Sequence, residues 1–165
     1  MAKQAQPPDA SERTLQRALE AGFRQIAHKP RTVAEVRARL EAKGVAPELV
    51  ETVIIEMCAQ GYLDDARFAA DLAAEKRELH GWGNERLERR LAAAGVDAEV
   101  IAATIGSSGY EAELEAALVL LRRRFPTPPT DDQERQRALA MLVRKGYELE
   151  LCYDAIRAHG SGGGA

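Results

Sequence analysis

The sequence predicts an all-α fold: three tandem three-helix repeats stacked into an elongated, curved solenoid. Glycines at 44, 95 and 146 stand at equal intervals of 51 residues, and apolar residues recur at helical spacing on both sides of each. Composition agrees, with 45% apolar and 30% charged residues. Ala, Leu, Glu and Arg abound and β-branched runs are nearly absent, which favours helix over sheet.

Three segments align without a gap: "VRARLEAKGVAPELVETVI" (36–54), "LERRLAAAGVDAEVIAATI" (87–105) and "ALAMLVRKGYELELCYDAI" (138–156). At equal offsets they carry Leu40, Leu91 and Leu142, then Glu48, Glu99 and Glu150, then Ile54, Ile105 and Ile156. The expected organisation is a disordered N-terminus over 1–10, repeats over 11–61, 62–106 and 107–160, and a flexible tail over 161–165. A three-helix unit of this size leaves one apolar face uncovered, and stacking of neighbours covers it.

In the first repeat, Leu15, Leu19, Phe23 and Ile26 form one stripe, Val33, Val36 and Leu40 a second, and Leu49, Val50, Val53, Ile54 and Met57 a third. The second repeat uses Phe68 and Leu72, then Leu87 and Leu91, then Val100, Ile101 and Ile105. The third uses Leu114, Leu118 and Leu121, then Leu139 and Leu142, then Leu151, Cys152 and Ile156. Thr32 with Glu35, Ser108 with Glu111 and Thr130 with Gln133 have the spacing of a capping box at a helix start. The repeated glycines sit where the second helix of each repeat must end in a left-handed conformation. Pro47 suits the first helical turn, and Glu48, Glu99 and Glu150 then lie at the positive end of a helix dipole, a structural role.

Composition also narrows function. Net charge is −3, and the segments divided at Gly61 and Gly106 hold nine basic against eight acidic residues, six against nine, and eight against nine. Tight autonomous binding to DNA draws on a basic balance, which no segment has. No apolar stretch approaches the roughly 18 residues that cross a bilayer, and the start lacks a secretory signal, so the expected location is the cytoplasm. Cys58 and Cys152 each fall within a helical stripe and are expected to be small buried hydrophobes. His28, His80 and His159 have no ligand-like spacing, no phosphate-binding glycine loop occurs, and Ser107, Ser108 and Ser161 lack a His and Asp partner. A non-enzyme with no cofactor and no metal is expected.

The segment "HGWGN" (80–84) is the turn before the middle helix of the second repeat, with Asp64 or Asp65 capping the helix that precedes it and Asn84 the one that follows. Trp82 either folds onto the core beneath the turn or is presented to a partner. Arg86, Arg89 and Arg90 share one side of the following helix, away from Leu87, Leu91 and Ala94. Such a stripe is a solvated face or a recognition surface for carboxylates and phosphates.

"GYLDDARFA" followed by "HGWGNERLERRLAAAGV", and preceded by "RTVAEVRARLEAKGV", resembles the RecX family of bacterial regulatory proteins over residues 12–106, and by the repeat over the chain to 160. In the third repeat "RRRFPTPPTDDQ" replaces the glycine turn. The resemblance implies a partner, the RecA recombinase filament on single-stranded DNA, whose ATP hydrolysis and strand exchange the protein suppresses, with weak direct contact to the DNA. It also fits a monomer without a membrane role. Expected partner-binding residues are Arg67, Lys76, Arg77, Trp82, Arg86, Arg89 and Arg90, supported by Arg31 and Arg39. Arg122, Arg123 and Arg124 are expected to touch nucleic acid, or else to balance the dipole of a helix end. Two alternatives stand beside this reading: a helix-turn-helix-like DNA-binding protein reading a groove through "ERLERRL", and a generic helical adaptor.

Overall fold

A computed structural model describes residues 10–161. Among them are nine α-helices and no strand: α1 (Ala10–Ile26), α2 (Val33–Ala42), α3 (Pro47–Ala59), α4 (Asp65–His80), α5 (Asn84–Ala93), α6 (Ala98–Gly106), α7 (Tyr110–Arg124), α8 (Asp132–Lys145) and α9 (Leu149–Ser161). The disorder expected at the ends concerns residues outside the described range, except that Ala10 and Ser161 are helical. The described residues form two compact units, one of those up to Phe68 with Ala94–Val96, the other of Ala69–Ala93 with those from Asp97 to Ser161.

The first unit is built on α1, α2 and α3. Val36, Leu40, Val50, Val53, Ile54, Met57 and Leu63 are buried, and the predicted stripe of Leu15, Leu19, Phe23 and Ile26 lies half-buried against them. Each such aliphatic side chain contributes about 1.5–3 kcal/mol when fully buried. Helix α1 approaches α3 closely enough that a Cβ on Gly22 would lie 2.8 Å from Met57 Sδ. Thr32 completes the predicted capping box, accepting from the Glu35 amide while the Glu35 carboxylate accepts from the Thr32 amide. Its hydroxyl also donates to the Ala94 carbonyl at 2.6 Å, and the residue is fully buried. Thr32→Ala removes a cap and leaves a buried carbonyl unpaired, an expected loss of about 2–4 kcal/mol. Thr32→Ser retains most of the stability, and the shift in urea midpoint between the two variants checks this.

The second unit buries Ala117, Leu118, Leu121, Ala138, Leu142, Tyr147, Leu151, Cys152 and Ala155 around α7, α8 and α9. His159 is also buried, its Nε2–H donating to the Phe125 carbonyl at 2.8 Å. Leu87 and Leu91 of α5 are completely buried, as their stripe predicts. Gly44, Gly95 and Gly146 have φ of 77°, 76° and 90°, the left-handed conformation expected at the repeated turn. Pro47 opens α3, and Glu48, Glu99 and Glu150 lie in first turns.

Several local expectations are corrected. The cap of α7 is Gly109, not Ser108, because the Ser108 amide still donates to Ile105 and belongs to the close of α6. The cap of α8 is Asp131, whose side chain accepts from the Glu134 amide, one register later than the Thr130–Gln133 pair. Of the two residues expected to cap α4, Asp64 does so, as expected, by accepting from the Arg67 amide, and the Asp65 side chain accepts from the Val33 amide. Cys58 is exposed, one step past the stripe of Val50, Val53 and Met57 that α3 turns inward. Cys152 is buried, and desolvation pushes its thiol up to about 11. A thiol-alkylating reagent at neutral pH is therefore expected to modify Cys58 in the folded protein and Cys152 only on unfolding, which mass mapping of the labelled residue checks.

Candidate functional site

A helix start leaves its first amides without helical partners, so the donors of α5 have to be satisfied from elsewhere. Helix α4 closes at Gly81, whose φ is 61°, with the Gly81 amide on the Arg77 carbonyl and the Trp82 amide on that of Lys76. The Gly83 amide then donates to Lys145 at 2.9 Å and the Glu85 amide to Gly146 at 3.0 Å. The Asn84 amide donates to Glu113 Oε1 at 2.8 Å, and the Asn84 side-chain amide to Glu113 Oε2 at 2.7 Å. Asn84 is therefore not its own helix cap: the cap comes from α7, and the Asn84 side-chain oxygen Oδ1 is left to accept from Arg77 Nη2 at 2.8 Å.

This geometry accounts for both glycines beside Trp82. Gly81 supplies a left-handed turn, whereas Gly83 supplies closeness, since a Cβ there would lie 2.5 Å from the Gly146 carbonyl oxygen. Two further hydrogen bonds close the joint, Lys145 Nζ to the His80 carbonyl at 2.7 Å and Arg86 Nη1 to the Arg144 carbonyl at 3.1 Å.

The first unit contains the same joint at equivalent positions. Thr32 reaches the carbonyl of Ala94, and Gly83 that of Lys145, each 62 residues further on. The Val33 amide donates to Asp65 at the start of α4, as the Asn84 amide does to Glu113 of α7. A Cβ on Gly95 would meet Ala34 at 2.5 Å, and one on Gly146 would meet Arg86 at 2.3 Å. Twice, then, the start of one trio's second helix sits on the glycine turn of the next trio.

Trp82 is half-buried, with Arg86 Cζ 4.2 Å from its ring centroid, Lys76 Nζ at 6.0 Å and the His80 ring at 6.3 Å. A guanidinium over an indole contributes about 0.5–2 kcal/mol. Beside it lies a cavity of about 490 Å³, lined among others by Arg77, Leu79, Ala116, Val119, Leu120, Arg123 and Lys145. Glu113 is half-buried at its edge: burial pushes its carboxyl up, and the Asn84 amide and Arg77 pull it back down. Lys145, Glu113 and Tyr147, which also line this cavity, are not among the expected site residues, and the 51-residue offset from Ala94 to Lys145 relates the two joints once the Ala94 contact is seen.

The structure gathers Lys76, Arg77, Trp82 and Arg86 and leaves the rest of the arginine stripe outward. Arg86 is held by the indole and by a carbonyl, whereas Arg90 is exposed and Arg89 is exposed with Glu85 at 3.8 Å. Lys76 also pairs with Glu75 at 2.6 Å. Of the basic run ending α7, Arg122 faces Glu115 at 3.3 Å, Arg123 lines the cavity and Arg124 is exposed. In the first unit, Arg67 is exposed and donates to the Gly61 carbonyl, Arg31 donates to that of Gln25 and lies 3.9 Å from Glu35, and Arg39 is exposed in the last turn of α2. Among the described residues no cluster of His, Cys, Asp and Glu is arranged to hold a metal, and no helix is long and apolar enough to cross a membrane.

Three family descriptions match the chain in order: RecX, first three-helix domain, over 18–57; second, over 64–105; and third, over 111–156. "Regulatory protein RecX" of Deinococcus radiodurans is 31% identical over 150 residues, covering 91% of this chain and 72% of that protein. The protein of the same name from Amycolatopsis mediterranei is 32% identical over 148 residues, covering 88% and 85%. The crystal structure of RecX from Lactobacillus salivarius superposes with a TM-score of 0.79 at 14% identity, over 89% of this chain and 97% of that one, a likeness of fold. With all three helical trios matched in order and curated relatives above 30% identity along most of their length, the chain belongs to the RecX family of regulatory proteins.

Proposed function

We propose that this protein binds the RecA recombinase filament on single-stranded DNA and inhibits its ATP hydrolysis and strand exchange, working as a cytoplasmic monomer without catalysis of its own. The observation that carries the reading is the match of every helical trio to the RecX family. The middle trio offers a surface suited to the task. Arg89 and Arg90 stand exposed on α5, and the neighbouring Trp82 is framed by Lys76, Arg77 and Arg86. Guanidinium groups so placed bind carboxylates of a protein subunit and phosphates of its DNA equally well. Arg31, Arg39 and Arg67 of the first unit also contact the partner, and Arg122, Arg123 and Arg124 make the weak contact with DNA.

Because the net charge is −3, affinity for free DNA is low, and binding to the filament gains from protein and phosphate contacts acting together. Titrating the protein into RecA on single-stranded DNA while following ATP hydrolysis tests the reading. The expected result is progressive loss of hydrolysis. Undiminished hydrolysis at large molar excess contradicts it, and salt-sensitive binding to duplex DNA in the absence of RecA points to the helix-turn-helix alternative.

A further inference from the structure

In both internal joints, the turn that closes the second helix of a trio is a seat for another helix start. The Ala94 carbonyl accepts from Thr32, and the Lys145 and Gly146 carbonyls accept from the Gly83 and Glu85 amides. The third copy of this turn, at Lys43 and Gly44, has the same left-handed glycine and the same closure, with the Val45 amide on Leu40 as the Tyr147 amide is on Leu142. Yet Lys43 and Gly44 are exposed, and none of the described residues lies within 4 Å of a Cβ on Gly44.

Among the described residues, the three helix starts that correspond to one another by the repeat, those of α2, α5 and α8, are all engaged elsewhere. Those of α2 and α5 occupy the two internal joints. Helix α8 starts at Asp132, three residues before Arg135, which corresponds to Val33 and Asn84, and it closes on itself through Asp131 and Glu134. Among its described residues a second copy of the chain therefore offers no free corner of the kind seated in the two internal joints. Lys43 corresponds to Lys145, whose ammonium holds the last carbonyl of the helix preceding the seated one.

We infer that the turn at Lys43 and Gly44 is an open docking seat for a helix–turn–helix corner of a partner protein. The first amides or cap hydroxyl of the partner's second helix donate to the Lys43 and Gly44 carbonyls, and the Lys43 ammonium donates to the carbonyl that ends its first helix. The internal joints supply the pattern, one corner with a glycine and one with a threonine at the cap. Applied to the filament, the inference rests on the proposed function and makes the occupant part of a RecA subunit.

Gly44→Asn separates docking from folding. Asparagine tolerates the left-handed conformation, and the open space admits its side chain, so the melting temperature is expected within about 5 °C of wild type. The same side chain collides with a docked helix, as a Cβ at Gly95 or Gly146 would. A peptide copying residues 72–93, the corner seated on Lys145 and Gly146, serves as the first probe. It is expected to shift the amide resonances of Lys43, Gly44 and Val45 in the full chain, and to leave those of the Gly44→Asn variant unmoved. Unmoved wild-type resonances at millimolar peptide overturn the inference.

On the filament, Gly44→Asn is expected to raise the half-inhibitory concentration roughly tenfold. Unchanged inhibition overturns the seat, whereas a wild-type protein that does not inhibit sinks the RecA reading and leaves the peptide to decide. Concentration-dependent oligomers of the wild type, abolished by Gly44→Asn in sedimentation, identify the occupant as a second copy and also overturn the proposal.

Discussion

Replacing Gly146 by alanine lowers stability by about 3–5 kcal/mol, whereas the same replacement at Gly44 costs about 1–2 kcal/mol. Both glycines are left-handed, at φ 90° and 77°, so both variants bear the steric penalty of that conformation. Among the described residues, no helix start lies on Gly44, whereas one lies on Gly146. A Cβ there would lie 2.3 Å from Arg86 Cβ and 2.5 Å from the Arg86 amide nitrogen, and neither the backbone nor a β-carbon has a rotamer with which to retreat. The joint has to open, releasing the hydrogen bonds from Gly83 and Glu85 to the turn. Gly83→Ala is expected to resemble Gly146→Ala, because its Cβ would press on the Gly146 carbonyl from the other side. Urea unfolding followed by circular dichroism checks the ranking, and equal losses at Gly44 and Gly146 contradict it.

Reversing Arg89 and Arg90 together to glutamate raises the half-inhibitory concentration against the RecA filament by roughly tenfold or more while leaving the melting temperature unchanged. Both side chains are exposed, and the ion pair of Arg89 with Glu85 is a surface contact. Arg86→Glu behaves differently. It loses the stack on Trp82 and the hydrogen bond to Arg144, and brings a carboxylate toward the Arg144 carbonyl, so it lowers the melting temperature as well as inhibition. Inhibition by the double variant equal to wild type shows that α5 does not face the filament.

The fold was legible because its determinants are local and repeated. Leu40, Leu91 and Leu142 are completely buried at one offset, and the three glycines after them are left-handed. Cap positions were less legible, since Ser108 and Asp131 each stand next to another residue able to end the extended segment, and one residue of register decides between them. Cys58 misled because it follows Ile54 by four positions, yet α3 turns only Val50, Val53, Ile54 and Met57 inward.

The site was half legible. Trp82 between glycines, with arginines following, marked the place, but the reason for Gly83 is a backbone contact with a residue more than sixty positions away, which no local pattern encodes. The same contact explains why Arg86 leaves the stripe it shares with Arg89 and Arg90: its guanidinium finds the Arg144 carbonyl and the indole face at once. Glu113, which caps a helix it does not belong to, reads in sequence as one more solvated acid of α7.

Amide hydrogen exchange at the starts of α5 and α8 tests the repeated joint most directly. The first amides of a helix ordinarily exchange fast, lacking helical acceptors. Gly83, Asn84 and Glu85 are predicted to be protected like amides inside the helix, while Asp132 and Gln133 of α8 exchange rapidly. Equal, fast exchange at both helix starts contradicts the joint.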